Sequence, residues 1–229
     1  MRLDKYLADM KIGTRSTVKE LIKHGDITVN NKVIKDASFK VDLNSIVRCK
    51  DEVIKYVEYE YYILNKPAGY LSATEDNKYP VVMDLIDSKR KDLSPVGRLD
   101  IDSEGLLLIT NDGKLNHELL SPKKHVDKKY YVDLDKGLPN NAKELLENPM
   151  DLGDFITKEA KFEKITNTSA YLTIHEGKFH QVKRMFEKIG VNVIYLKRVE
   201  FSFLKLDDLP IGKSRILNEE EIAKLKELI

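Results

Sequence analysis

The residues best equipped for chemistry sit in one stretch, VGRLDIDSEGLLLITNDG, at 96–113. Three carboxylates, Asp100, Asp102 and Glu104, alternate there just ahead of the apolar run at 105–110. That run must enter the core, so the loop carrying the carboxylates is anchored at one end. In an extended chain the alternation sets all three on one face, and like charges that close raise a pKa. Two chemistries follow. A carboxylate pair can share general acid and base work, as in a hydrolase, or one aspartate beside Arg98 can act alone as nucleophile or base. A polar turn leading into a buried strand is the third reading. Other reagents are scarce. The histidines (His24, His117, His125, His175, His180) are scattered without metal-ligand spacing, and Cys49 is the only cysteine. A disulfide framework is therefore excluded, a reducing compartment is suited, and no bound metal is expected.

A second reactive neighbourhood lies at 178–198. Helical spacing turns Val182, Met185, Phe186 and Ile189 of the 181–189 segment inward and leaves Lys183, Arg184 and Lys188 at its margins. Lys183, near the helix start, is within reach of Asp100, whose charged form it would stabilise. His180 and Gln181 precede the helix and are expected to shape a pocket rather than to catalyse.

The charge is balanced overall, 39 basic against 38 acidic side chains for a net +1, yet uneven along the 229 residues. Residues 1–58 hold 12 basic and 9 acidic groups, net +3, and residues 59–229 hold 27 and 29, net −2. Within the second part, 178–198 carries six cations against Glu187, and 123–129 carries four lysines against Asp127. Positive stripes on a neutral chain suit a polyanion surface, because affinity comes from releasing counterions rather than from total charge. No apolar run approaches the roughly 20 residues that span a bilayer, and the start lacks the apolar core of a signal peptide, so membrane and secreted classes are disfavoured.

The elements that must position these groups form two modules, 1–58 and 59–229. In the first, a short helix over 2–9 carries Leu3, Tyr6 and Leu7 on one side. A second helix starting at Thr14 or Ser16 has Val18, Leu21 and Ile22 as its inner stripe and Gly25 as its left-handed stop. A hairpin, 27–29 and 32–34, then turns at Asn30-Asn31. Arg2, Lys5, Arg15, Lys19 and Lys23 decorate the helices away from the apolar stripe, so one helical face can lie along an RNA backbone. The second module reads as strands at 59–64, 105–110, 129–134, 160–165 and 170–175, with a long strand or bent pair at 193–206. Helices are expected at 82–86, 114–120, 180–189 and 219–229. The 65–69 segment reads as a turn. Strands in runs with a few helices between them predict an α+β class: a mixed, mainly antiparallel sheet with flanking helices.

The order helix, basic helix, glycine stop, hairpin in TRSTVKELIKHGDITVNNKVI resembles the S-four type RNA-binding domain. Beyond it, NKPAGYLS, VGRLDIDSEGLLLITNDGKL, KKYYV and EGKFHQVKRMFEKIG followed by YLKRV resemble, in order and over essentially the whole chain, the ribosomal RNA pseudouridine synthases of the RsuA type. The resemblance implies that Asp100 is the catalytic aspartate and Arg98 the arginine of the same loop. It further implies that Tyr130 packs against the target base and that Lys183 pairs with the aspartate. Lysine replaces the arginine of related subfamilies there and lacks its bidentate fork.

Turning uridine into pseudouridine breaks the glycosidic bond, rotates the uracil and rejoins it through carbon 5, with no net oxidation or group transfer, so no cofactor is expected. One carboxylate must attack carbon 6 of the base or take a proton from carbon 2′ of the ribose. The base must first leave its stack, at a cost of a few kcal/mol. Arg98 can fill the vacated space or grip phosphate, and Arg184 adds to the RNA surface. The implied protein is a cytoplasmic monomer acting on ribosomal RNA or an assembling subunit, with the small subunit favoured over the large. A noncatalytic RNA-binding assembly factor is the rival from another class.

Overall fold

The computed structural model describes all residues except Leu43, Lys89, Lys91, Pro122 and Lys123. The chain forms two compact units, Met1–Tyr59 with Ser88–Asp92, and Glu60–Asp87 with Leu93–Ile229. No local sequence pattern signals that a five-residue segment from the middle of the chain clusters with the first unit. The expected basic run at 123–129 includes Lys123, which lies outside the described residues.

In the first unit, α1 (Leu3–Asp9) and α2 (Arg15–His24) cover a sheet of β1 (Ile27–Val29), β2 (Lys32–Val33), β3 (Val47–Cys49) and β4 (Glu52–Ile54), ordered β2-β1-β3-β4 and antiparallel throughout. Thr14 Oγ1 accepts from the Thr17 N–H at 3.2 Å, which caps α2, and Gly25 ends it at φ +89°. Asn30 and Asn31 both take positive φ, as a two-residue hairpin demands. Leu3, Leu7, Val18, Ile22, Ile27 and Val47 are fully buried between helices and sheet. The β3–β4 hairpin carries too few apolar residues to stand out in the sequence.

The second unit is one mixed sheet. Its strands are β5 (Tyr61–Lys66), β6 (Ser94–Pro95), β7 (Glu104–Thr110), β8 (Lys128–Leu134), β9 (Lys161–Lys164), β10 (Ser169–Ile174), β11 (Val193–Phe201), β12 (Leu204–Lys205) and β13 (Ser214–Ile216). The order is β13-β5-β7-β11-β8-β10-β9, with β6 on β7 and β12 on β11. Every pairing between these strands is antiparallel except β7 with β11. Among the described residues four α-helices accompany it: α3 (Gly113–Leu120), α4 (Ala142–Glu147), α5 (Gln181–Lys188) and α6 (Glu219–Glu227). The expected helix at 82–86 is a 3-10 turn, Val82–Leu85. The expected turn at 65–69 begins later, because β5 runs on through Asn65 and Lys66. Neither α4 nor β13 is visible as a local pattern.

Burial explains the textures. β5 and β7 are apolar at successive positions because both faces are covered: Leu64, Leu107 and Ile109 enter one core cluster, and Ile63, Leu106 and Leu108 another. β8 alternates strictly, with Tyr130, Val132 and Leu134 inward and Tyr131 and Asp133 outward. Where β5, β7 and β11 meet, Gly105 pairs with Lys66 on one side and Arg198 on the other. Its φ is +104°, and a Cβ there would lie 2.2 Å from the Arg198 carbonyl oxygen. Glycine is required twice over, by conformation and by space. Gly105→Ala is expected to cost ~3 kcal/mol or more, seen in urea titration as a lower midpoint at unchanged slope. A midpoint within error of wild type would mean that the strands separate freely at this point.

Candidate active site

The loop from Val96 to Ser103 is clamped by the segment after β5, which gives the NKPAGYLS motif its physical meaning. Ser72 Oγ donates to the Leu99 carbonyl at 2.8 Å and accepts from the Leu99 N–H at 3.0 Å. The Gly69 N–H donates to the Ile101 carbonyl at 2.7 Å. Beneath them Lys66, fully buried, points its ammonium at the carbonyls of Ser103 (2.7 Å), Asp100 (3.0 Å), Pro67 (3.1 Å) and Ile101 (3.4 Å). An ammonium has only donors, so this ring of oxygens fits its protonated form. Burial pulls the Lys66 pKa down to about 8, opposed by the nearby carboxylates of Asp102, Asp100 and Glu104.

The three carboxylates do not share a face. The Ser103 N–H closes a turn on the Asp100 carbonyl at 3.1 Å, which breaks the extended alternation. Asp100 and Asp102 converge on Lys183, whereas Glu104, already in β7, accepts from the Tyr195 hydroxyl at 2.6 Å. Burial first, and Glu104 second, push the Tyr195 phenol above its ordinary range. Lys183 stands 3.3 Å from Asp100 Oδ2, as expected, and its ammonium also bonds both oxygens of Asp102, at 2.7 and 2.9 Å. It bridges the two aspartates instead of pairing with Asp100 alone. Its hydrogen bond holds the Asp102 carboxyl below the usual range, the reverse of the rise that like-charge crowding predicts.

Asp100 is 30% exposed and opens into a cleft enclosing about 400 Å³ including its mouth. Tyr130, 7% exposed, lines it together with Ile174, Val182 and Leu196, so one wall is apolar. Arg98 is on the lining, exposed, and without an ion-pair partner among the described residues. The Ser103 hydroxyl, buried at the same cleft, has no hydrogen-bond partner among the described residues. His180 takes a left-handed conformation (φ +50°, ψ 26°) at the start of α5 and brings Nε2 to 3.5 Å from Asp100 Oδ1. Gln181 braces the preceding loop, donating to Glu176 at 2.9 Å and accepting from the Lys178 N–H at 3.1 Å.

The other expected cations divide by what they touch. Arg184 is engaged by Asp154 and donates to the Leu152 carbonyl at 2.7 Å, so it staples a loop and is not free for phosphate. Arg198 is buried, with Nε on the Leu106 carbonyl at 2.7 Å. Lys128 is buried over Phe201, and burial pulls its pKa to about 8. Lys129 pairs with Glu163. The stretch at 178–198 therefore exposes chiefly Lys178 and Lys188. In the first unit Arg2, Lys5, Arg15, Lys19 and Lys23 are all exposed, and Arg2 also pairs with Asp4, at 3.0 and 2.8 Å.

Among the described residues no group of three or more His, Cys, Asp or Glu side chains is placed to hold a metal ion, and no helix is long and apolar enough to cross a membrane. Residues 60–188 match the family model described as RNA pseudouridylate synthase, and residues 1–47 match the S4 domain. The chain belongs to the RNA pseudouridylate synthase family. It is 40% identical to the ribosomal large subunit pseudouridine synthase B of Bacillus subtilis, over 99% of this chain and 96% of that one. It is 39% identical to the ribosomal small subunit pseudouridine synthase A of Vibrio cholerae, over 98% and 99%. A crystal structure of a pseudouridylate synthase superposes with a TM-score of 0.70 at 32% identity, covering all of both chains.

In this pseudouridine synthase, sequence reasoning passed over Lys66 and Ser72 as individual residues, although both lie in a motif it singled out. A lysine closing an apolar strand just before a proline was the available signal. Folded Lys66 titrates near 8 and the unfolded residue near 10.5. Between those values the unfolded chain holds the extra proton, so the stability contributed by Lys66 rises with pH. The unfolding free energy of wild type relative to Lys66→Met is expected to grow by about 1–3 kcal/mol between about pH 7.5 and 10. Urea titrations across that range test it, and a flat or shrinking difference would show that Lys66 keeps its ordinary pKa.

Proposed function

We propose that this synthase isomerises a uridine of ribosomal RNA, with small-subunit RNA as its target, in the cytoplasm of a bacterium and as a monomer, within ribosome biogenesis. The observation that supports the assignment of roles is that Asp100 and Tyr130 line one cleft, with the Lys183 ammonium 3.3 Å from Asp100 Oδ2. Asp100 is the carboxylate that attacks carbon 6 or takes the proton from carbon 2′. Tyr130 supplies the ring against which the extruded uracil packs, and the apolar wall around it excludes water. Lys183 holds a positive charge beside Asp100 and Asp102, tying the loop to α5. Arg98, exposed on the rim, reaches for the phosphate or for the space the base leaves. The HQVKRMF form at the start of α5 favours the small-subunit target. The similarity to a large-subunit enzyme supports the second reading, and mapping pseudouridines in ribosomal RNA with and without the gene distinguishes the two.

Asp100→Asn keeps shape but can neither attack nor accept a proton. It is expected to lower tritium release from RNA labelled at carbon 5 of uridine by at least about a thousandfold, with RNA binding intact, whereas Asp102→Asn retains measurable turnover. The reverse pattern would assign the chemistry to Asp102.

We infer that residues 1–58 supply RNA affinity and residues 59–229 supply the chemistry. Arg15, Lys19 and Lys23 lie on or beside one exposed side of α2, and each phosphate contact to a single strand contributes roughly −0.7 to the slope of log affinity against log salt. Replacing all three by alanine is expected to flatten that slope by about 2, and an unchanged slope would sink the division of labour.

A further inference from the structure

Phe179 is 73% exposed, the highest value among the exposed large apolar side chains described. It does not hang free: one face stacks on the His180 ring, with centroids 3.8 Å apart and planes 19° from parallel. His180 is itself held in the left-handed region and lines the cleft 3.5 Å from Asp100. The pair therefore forms an aromatic ledge at the mouth of the cleft. Exposed Lys178, also on the cleft lining, supplies a positive charge next to the ledge. Among the described residues no ring or cation other than His180 stacks on Phe179, and none of the chemical roles above requires its outer face. A rigid ring with one face backed, the other open and a cation beside it is what a single-stranded nucleobase stacks upon.

We propose that Phe179, backed by His180, is a stacking subsite for a base of the RNA strand flanking the extruded uridine. The inference rests on the reading of this protein as an enzyme acting on RNA and adds to it a residue that reads the strand by its π-face. The ledge holds the neighbouring base while the target uridine turns into the cleft, so it acts in binding rather than in the bond-making step.

The test uses the full-length protein and a short uridine-rich RNA carrying one 2-aminopurine, whose fluorescence falls when it stacks. Wild type is expected to quench the probe. Phe179→Ala is expected to abolish the quench and weaken binding about 5- to 150-fold, Phe179→Tyr to restore both, and Phe179→Leu to restore neither. With ribosomal RNA transcripts tritiated at carbon 5, turnover by Phe179→Ala at saturating RNA should stay within about threefold of wild type. Unchanged quench and affinity in Phe179→Ala, or full rescue by leucine, overturns the subsite. A fall in turnover at unchanged affinity also overturns it, by making Phe179 a prop for His180. If wild type quenches the probe but releases no tritium, the reading of the activity fails while the stacking subsite stands.

Discussion

One buried cation organises the loop that carries Asp100. Lys66 ends a strand whose other residues are aliphatic, aromatic or amide side chains, all buried, and its ammonium gathers the carbonyls of Pro67, Asp100, Ile101 and Ser103. A charge taken out of water must be compensated by oriented dipoles, and these four provide them. The consequence runs in both directions. The carbonyls fix the loop, and the loop makes the lysine tolerable in the core. Ser72 and the Gly69 N–H add neutral clamps on Leu99 and Ile101, so the backbone around Asp100 is held from below along its length.

That clamp is possible because the sheet narrows at Gly105. The parallel pair β7 and β11 brings Arg198 so close to Gly105 that no side chain fits, and Lys66 pairs across the other edge. From this point the chain turns sharply between Asp100 and Ser103, which sends Asp100 and Asp102 toward α5 and leaves Glu104 to Tyr195. Asp102 and Glu104, only two positions apart, thus acquire different partners. Lys183 ties the first two together from the opposite element, and the αL residue His180 sets the pitch at which α5 starts.

The charge distribution follows the same logic of engagement. Cations that appear as a continuous stripe in the chain are separated in the fold into buried (Lys128, Arg198), paired (Lys129, Lys183, Arg184) and exposed (Lys178, Lys188). In the first unit α2 keeps Arg15, Lys19 and Lys23 exposed because its buried positions are taken by Val18 and Ile22. The long-range attraction for a polyanion depends on the exposed groups, whereas the paired ones shape the surface on which it lands.

Much of this was legible in the sequence, and for a local reason. Thr14, Gly25 and Asn30-Asn31 act through their own backbone neighbours, so α2 and the first hairpin can be read without knowing the fold. The apolar periods of β7, β8 and α5 likewise report which faces are buried. Asp100, Arg98 and Tyr130 were recognised through motif order, and all three line the cleft. Apart from the reach of Lys183 to Asp100, pairings between elements far apart in the chain were not legible. Lys183 lies 81 residues beyond Asp102, and its choice of two aspartates depends on a turn whose geometry comes from Lys66, 34 residues before Asp100. The fate of each cation, the separation of Glu104 from its neighbours and the ledge of Phe179 depend on where other elements come to rest. The sequence by itself determined the local elements, because capping, turn and burial-period signals act within a few residues. Only the tertiary structure decided which charges meet, because ion pairs and buried dipoles depend on distances that folding alone creates.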